Sequence, residues 1–401
     1  MALVDHKYLR KMMEIGCRAG SVLNPLITKN KKNIVFFESA PGFMNNYVLM
    51  KYMVQNGLDK EYNIYYFPDI RVECNLGKTF ERVRFSNNLM YAYFLFLTSF
   101  YVFIDTGNMR MTPSKGQCVV YMDHGLPFKL AGILRKSFDW TFPRDLVMPV
   151  NYFPSSSPNF DDMYCATYCL DKKQIIRCGR PRTDALYKEK SYLGLLGIDK
   201  GQYSKIIMWM TTYRIASNGR AMDTESKNWS KTNLPILTDM QEIRRVNDYL
   251  RERNFLLVIK IHQGSVFRKE SIQNLSNLKL LLDKDFVNKG VQIYDILKDF
   301  DALVTDYSSV FLDYVIVDKP IIFITDDIEE FSKRHGFFFD NPLEYMPGPK
   351  VNSYDELISQ LDRLDDNATE YKETRKKLKD FCHYYQDGHD SARLLELLNI
   401  R

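Results

Sequence analysis

Leu303-Val304-Thr305-Asp306-Tyr307-Ser308-Ser309-Val310-Phe311-Leu312-Asp313-Tyr314, followed by Lys319-Pro320-Ile321-Ile322-Phe323-Ile324, runs an apolar stretch into a cluster of hydroxyls and then into a second apolar stretch. The pattern reads as strand, turn, helix, turn, strand, the repeating unit of a parallel α/β sheet. Ser308 or Ser309 falls near the helix N-terminus, where free backbone N–H groups and the positive dipole end favour an anion. A hydroxyl there also serves as a plain helix cap. Other segments have to decide between the two roles.

The same alternation runs outward in both directions. Towards the N-terminus, Asn33–Phe37, Tyr62–Phe67, Val102–Asp105, Gln117–Tyr121 and Ile175–Cys178 read as strands bounded by turn residues. Nearer the opening stretch, Lys205–Met210, Phe255–Ile261, Val291–Tyr294, Ala302–Thr305 and Ile321–Ile324 read as strands, with an amphipathic helix over Met240–Arg253. Tyr354–Leu364, Ala368–Phe381 and Ser391–Leu398 read as helices. The expected fold is α/β, with two Rossmann-like domains of parallel strands facing a cleft and a C-terminal helix. The expected boundaries are an amphipathic segment over residues 1–32, a first domain over 33–195 and a second over 196–401. The polar stretch Ser217–Asn233 is too long for an ordinary connection and reads as a mobile loop.

At 401 residues the chain suits two domains of ordinary size. Its 45% hydrophobic and 26% charged content is that of a globular protein, and the +5 net charge is too diffuse to argue for nucleic acid. Seven scattered cysteines without a C-x-x-C pair imply a reduced compartment. The first residues lack the apolar core of a signal peptide. Met90–Ile104 is short for a membrane span and is expected to be a buried helix running into a strand. The first 32 residues interleave basic and apolar positions, a pattern open to two readings: a surface anchor or a helix packed on the first domain.

In parallel sheets, ligands bind beyond the carboxyl ends of the strands. Polar residues directly after the apolar runs are therefore the site candidates. His124 follows Asp123 and precedes Gly125, where a missing side chain permits close approach, and imidazole is the usual general base near neutral pH. Lys260 and His262 share one side of a strand by its two-residue period. Arg214, and Arg180 and Arg182 flanking Pro181, are candidate cations for a diphosphate, with Glu38 and Lys129 as further polar candidates. No H-E-x-x-H, G-x-S-x-G, Walker or G-x-G-x-x-G motif is present, and no residue set has convincing metal-ligand spacing.

Taken together, His124-Gly125-Leu126-Pro127-Phe128-Lys129, Gly179–Asp184, Met210–Arg214, Lys260-Ile261-His262, Thr305–Asp313 with Lys319-Pro320, Pro347-Gly348-Pro349 and Gln386–Arg393 resemble the CDP-glycerol glycerophosphotransferase family of teichoic-acid and capsule synthesis. The resemblance spans residues 33 to 395. Leu126, Thr211 and Gln263 depart from the usual Thr, Pro and Pro, which bears on loop rigidity and substrate detail. The resemblance implies a GT-B-like fold and transfer of glycerol phosphate from CDP-glycerol to a polyprenyl-linked acceptor at the cytoplasmic face of the plasma membrane. It implies His124 as the base, His262 with Thr305, Ser308 and Ser309 as the donor phosphate site, and Arg393 as a further phosphate contact. Arg214 and Lys260 complete the expected donor side. No cofactor is expected to be required, with Mg²⁺ stimulatory at most. A CDP-ribitol donor, a nucleotide-sugar glycosyltransferase and a non-catalytic glycan- or membrane-binding scaffold remain open at this point.

Overall fold

The computed structural model describes residues 6–38, 45–68, 80–105, 109–123, 125–134, 136, 148–212, 232, 234–260, 274–287 and 289–401. The chain forms two compact units, one of Met1–His124, Asp139–Tyr187 and Asp387–Arg401, the other of Gly125–Phe138 and Lys188–Gln386.

The first unit is built on a five-stranded sheet: β1 (Asn30–Phe37), β2 (Asn63–Phe67), β3 (Arg84–Phe85), β4 (Ser99–Ile104) and β5 (Cys118–Tyr121). Their order is β3-β2-β1-β4-β5, and every pairing is parallel. Parallel strands are covered on both faces, which is why Ile34–Phe37 and Val102–Ile104 are apolar without alternation. Phe36 stacks on Phe103 at 4.9 Å in that core. A short parallel pair, β6 (Phe153–Ser155) and β7 (Ile175–Arg177), adjoins β5 through a Val120–Tyr152 bridge.

The second unit carries a six-stranded sheet: β8 (Lys205–Met210), β9 (Phe255–Lys260), β10 (Leu278–Leu281), β11 (Ala302–Thr305), β12 (Ile321–Ile324) and β13 (Lys350–Val351). The order β10-β9-β8-β11-β12-β13, again all parallel, is the doubly wound Rossmann arrangement. Helix Met240–Glu252 starts at Asp239, whose carboxylate accepts from the N–H groups of Gln241 and Glu242. It buries Ile243, Val246 and Leu250 against Ile207, Leu257 and Ile259. In each sheet the winding reverses beside the first strand, between β1 and β4 and between β8 and β11.

Three expectations are corrected here. Val291–Tyr294 is not a strand: Gln292 and Asp295 form a reciprocal cap that opens helix Ile293–Leu297, and the strand is Leu278–Leu281. Residues 196–401 do not all belong to the second unit. Helix Asp390–Leu397 buries Leu394 and Leu395 in the first sheet's core, which returns the end of the chain to the first unit. The first 32 residues are not a separate segment either. Helix His6–Leu23 packs on helix Leu89–Thr98, where Cys17 Sγ lies 3.7 Å from the Tyr93 hydroxyl, and β1 already begins at Asn30. Helix Leu89–Thr98 does run into a strand as expected, but it leaves Met90 and Phe94 exposed. Among the described residues no helix is long and apolar enough to cross a membrane.

Candidate functional site

At the winding reversal of the second unit, Asp306 ties the ends of β8 and β11 together. Its Oδ1 accepts from the backbone N–H of Thr212 at 2.8 Å, the Thr212 hydroxyl at 2.8 Å and the backbone N–H of Ser308 at 3.1 Å. Lys129 Nζ donates to the same Thr212 hydroxyl at 3.4 Å. The segment after His124 is seated on this unit by Phe128, which is fully buried against Phe311 and Phe337. That seat brings Gly125 against Ser309: a Cβ on Gly125 would lie 2.6 Å from the Ser309 Oγ. Thr212, Ser308, Ser309, Lys129 and Gly125 are thereby gathered at one strand edge, where α/β proteins hold their ligands.

Thr305 does not join them as a ligand. Its hydroxyl donates to the Met210 carbonyl at 2.7 Å, and the residue is fully buried. The helix after the two serines is Val310–Tyr314, five residues long, and the Ser309 side chain makes no capping hydrogen bond. So short a helix brings little dipole, and what recommends the serines is their place at the strand edge. Lys260 is held in an ion pair with Asp283 at 2.8 Å.

The candidate cations of the first unit are structural. Arg180 is wholly buried. Its guanidinium donates to the Met122 carbonyl and to the Tyr164 hydroxyl, lies 5.1 Å from the Phe153 ring centre, and faces Asp123 at 3.7 Å. Arg182 is 2% exposed. Both stand in a clasp with the chain's last helix. Asp184 accepts from the N–H groups of Asp390 and Ser391, and Asp390 accepts from the Arg180 N–H and the Thr183 hydroxyl. Arg393 is spent on Asp387, Asp390 and the Cys178 carbonyl of this same unit. Glu38, at the end of β1, is also buried: it accepts from the Tyr66 hydroxyl at 2.9 Å and the Tyr47 N–H at 3.1 Å. Burial and the neighbouring Asp105 carboxylate hold its carboxyl well above the ordinary range.

His124, His262 and Arg214 lie outside the described residues. The residue before His124 is nonetheless informative. Asp123 adopts φ 53°, in the left-handed region that a side chain other than glycine rarely takes. Sequence reasoning passed over Asn45 and Tyr168, and it noted Asp123 and Asp390 only as neighbours within their motifs, without partners. The signal available was the recurrence of Asp beside each motif; the partners themselves are more than 40 residues apart along the chain. Among the described residues no group of three or more His, Cys, Asp or Glu is placed to hold a metal.

A family model described as CDP-glycerol:poly(glycerophosphate) glycerophosphotransferase matches residues 22–399. The teichoic acid ribitol-phosphate polymerase TarL of Staphylococcus aureus is 26% identical over 92% of this chain and 62% of its own length. A teichoic acid glycerol-phosphate transferase of the same organism is 26% identical over 62% of this chain and 60% of its own. The chain thus spans about 60% of the length of these curated relatives. A solved structure of the wall teichoic acid polymerase TagF superposes with a TM-score of 0.73 at 17% identity, covering 97% of this chain and 92% of that one. At that identity the likeness establishes a shared GT-B-like fold.

Proposed function

This chain belongs to the CDP-glycerol:poly(glycerophosphate) glycerophosphotransferase family, and we propose that it transfers glycerol phosphate from CDP-glycerol to a hydroxyl of a lipid-linked glycan or polyol-phosphate acceptor in teichoic-acid or capsule synthesis. The observation that carries the reading is the gathering of Thr212, Ser308, Ser309 and Lys129 around Asp306 at the winding reversal of a Rossmann sheet. The acceptor oxygen attacks the phosphorus bearing the glycerol, the bond from that phosphorus to the bridging oxygen breaks, and CMP leaves. His124 takes the acceptor's proton. Ser308, Ser309, Arg214 and His262 hold the donor phosphates, with Lys129 beside them. Catalysis of this kind is mostly positioning and charge stabilisation, which a site of fixed N–H, O–H and cationic donors supplies.

A ribitol donor is the second reading, favoured by the match to a ribitol-phosphate polymerase over 92% of the chain. The discriminating experiment offers the protein CDP-glycerol, CDP-ribitol and UDP-sugars with a prenyl-linked acceptor and measures released nucleotide. CMP release from a CDP-polyol is expected. Turnover of UDP-sugars alone would overturn both readings, and a protein that binds the acceptor but turns over nothing would be a scaffold.

The acceptor calls for contact with the cytoplasmic membrane surface, and we propose that it is peripheral. Val22 and Leu26, 74% and 81% exposed, end the first helix and its following turn, while Met90 and Phe94 stand exposed on the helix it packs against. Arg18, Lys31 and Lys32 lie nearby in sequence. Binding to anionic vesicles that weakens with salt is expected, because screening sets in within about 10 Å at 0.1 M. Binding that ignores both salt and lipid charge would count against it.

A further inference from the structure

We propose that Thr212 is a positioning residue for Lys129, and that the ammonium it holds is a cation that binds a diphosphate at the Ser308–Ser309 edge. The Thr212 hydroxyl touches two neighbours of opposite charge. Asp306 is fully buried and its carboxylate only accepts, so the Thr212 proton is committed to Oδ1 at 2.8 Å. The lone pairs of the same oxygen are what Lys129 Nζ meets at 3.4 Å. The Thr212 backbone N–H, 2.8 Å and 3.0 Å from the two carboxylate oxygens, keeps the residue from turning away. The Ser308 N–H reaches Oδ1 as well, at 3.1 Å, which sets the serines beside the same carboxylate.

The stem of Lys129 is fixed independently of its tip. Its backbone pairs antiparallel with Phe337, flanked by the Leu130 N–H on the Gly336 carbonyl at 3.1 Å and the Phe338 N–H on the Phe128 carbonyl at 3.0 Å. Gly336, at φ 79°, makes the turn that offers this edge, and a Cβ there would lie 2.7 Å from Leu130 Cδ1. Lys129 Nζ also lies 5.9 Å from the ring centre of the buried Phe331.

Packing alone does not call for this arrangement. An apolar side chain at 129 would cover Phe331 without bringing a charge into a half-buried place. In the same unit Lys260 is held directly on Asp283 at 2.8 Å, so its charge is neutralised within the fold. Asp306 instead reaches Lys129 through a neutral hydroxyl, which orients the ammonium without laying this carboxylate over it. A lysine fixed at stem and tip before an anion arrives has little rotamer freedom left to lose on binding it. An ammonium so held, beside two serines, suits the charge and oxygens of a diphosphate.

The inference rests on the phosphotransfer reading for its kinetic arm only. Calorimetry with CDP and with inorganic pyrophosphate needs neither acceptor nor turnover. Thr212→Val keeps the shape and deletes the hydroxyl, Thr212→Ala deletes it and leaves room, and Thr212→Ser keeps it. The first two are expected to weaken both ligands about tenfold, as loss of a charge-assisted contact does, with Thr212→Ser within about threefold of wild type. Lys129→Met should cost at least as much. Adding Thr212→Val to it should cost almost nothing further, because the hydroxyl then has no ammonium to hold. In turnover, the KM for CDP-glycerol should rise in Thr212→Val by more than kcat falls. Losses that simply add in the double variant, or affinities that match wild type in Thr212→Val and Thr212→Ala, overturn the proposal in favour of a purely structural hydroxyl. Unchanged affinity in Lys129→Met, which removes no Asp306 hydrogen bond made by Thr212 or Ser308, overturns it as well, as does a wild type that binds neither CDP nor pyrophosphate. If wild type binds both but releases no CMP from a CDP-polyol, the phosphotransfer reading falls and the binding series still decides this one.

Discussion

Gly125 and Ser309 are 184 positions apart, yet a single methyl on Gly125 would sit 2.6 Å from the Ser309 hydroxyl oxygen. The obstacle is the tip of a small side chain and not backbone, so the fold can accommodate Gly125→Ala by turning Ser309 to another rotamer. Gly125→Ala is therefore expected to fold normally and to weaken donor binding, because Ser309 no longer points where the glycine left room. Adding Ser309→Ala should relieve the clash. Neighbours that touch couple by about 0.5–3 kcal/mol, so the KM for CDP-glycerol should show clear non-additivity in this cycle. Strict additivity would mean that the two residues act apart.

Asp306 concentrates three donors on one carboxylate oxygen, two from Thr212 and one from Ser308. Removing it leaves half-buried donors without their acceptor, which costs up to roughly 1–3 kcal/mol. Asp306→Ala should lower the melting temperature and cut kcat/KM by about tenfold or more, since 1.4 kcal/mol is a decade. Asp306→Asn, which keeps an acceptor, should fall between. A carboxylate so engaged is poorly placed to ligate a metal, so any Mg²⁺ stimulation should keep its concentration dependence in Asp306→Asn. A stimulation lost in that variant would make Asp306 a ligand after all.

The two sheets were legible because parallel strands, buried on both faces, are uninterrupted apolar runs, as in Lys205–Met210 and Ala302–Thr305. Leu278–Leu281 was missed because Lys279 breaks a run of only four residues, and Val291–Tyr294 was misread because a helix cap and a strand end look alike over so short a span. The site was legible as a set of positions and not as a set of partners. Arg180, Arg182, Arg393 and Lys260 appear in sequence as unattached cations. The Asp390 that meets the Arg180 N–H lies 210 residues away and the Asp283 that takes Lys260 lies beyond a long connection, so neither pairing could be seen before folding.

Glu38 and Asp105 directly follow β1 and β4 at the first sheet's winding reversal, and Glu38 keeps its proton well above the ordinary carboxyl range through burial and the Asp105 charge. The folded chain then binds a proton that the unfolded chain releases, so stability falls as pH rises above the ordinary Glu value of 4.5. Glu38→Gln, which cannot ionise, should gain in melting temperature relative to wild type as pH is raised from 5 to 8. A difference between mutant and wild type that stays constant over that range would show that Glu38 does not titrate in this way.

Asp390 makes the same argument with a defined window. Burial first, and the Asp184 carboxylate next, push its pKa from 3.8 up to about 7, against the hydrogen bonds from Thr183 and the Arg180 N–H and the charge of Arg393. Between about pH 4 and pH 7 the folded state holds a proton that the unfolded state lacks, so this residue's contribution to stability declines through that interval and is level above it. Asp390→Asn removes the titration while keeping one oxygen to accept from the Arg180 N–H and Thr183. Melting temperatures of mutant and wild type should therefore diverge in the mutant's favour from pH 4 to pH 7 and run parallel from pH 7 to pH 9. A kcat near wild type is expected, since Arg180 keeps its bonds to Met122 and Tyr164. A melting curve whose pH dependence matches wild type throughout would place the Asp390 pKa back in the ordinary range, with Arg393 and the N–H donors outweighing burial.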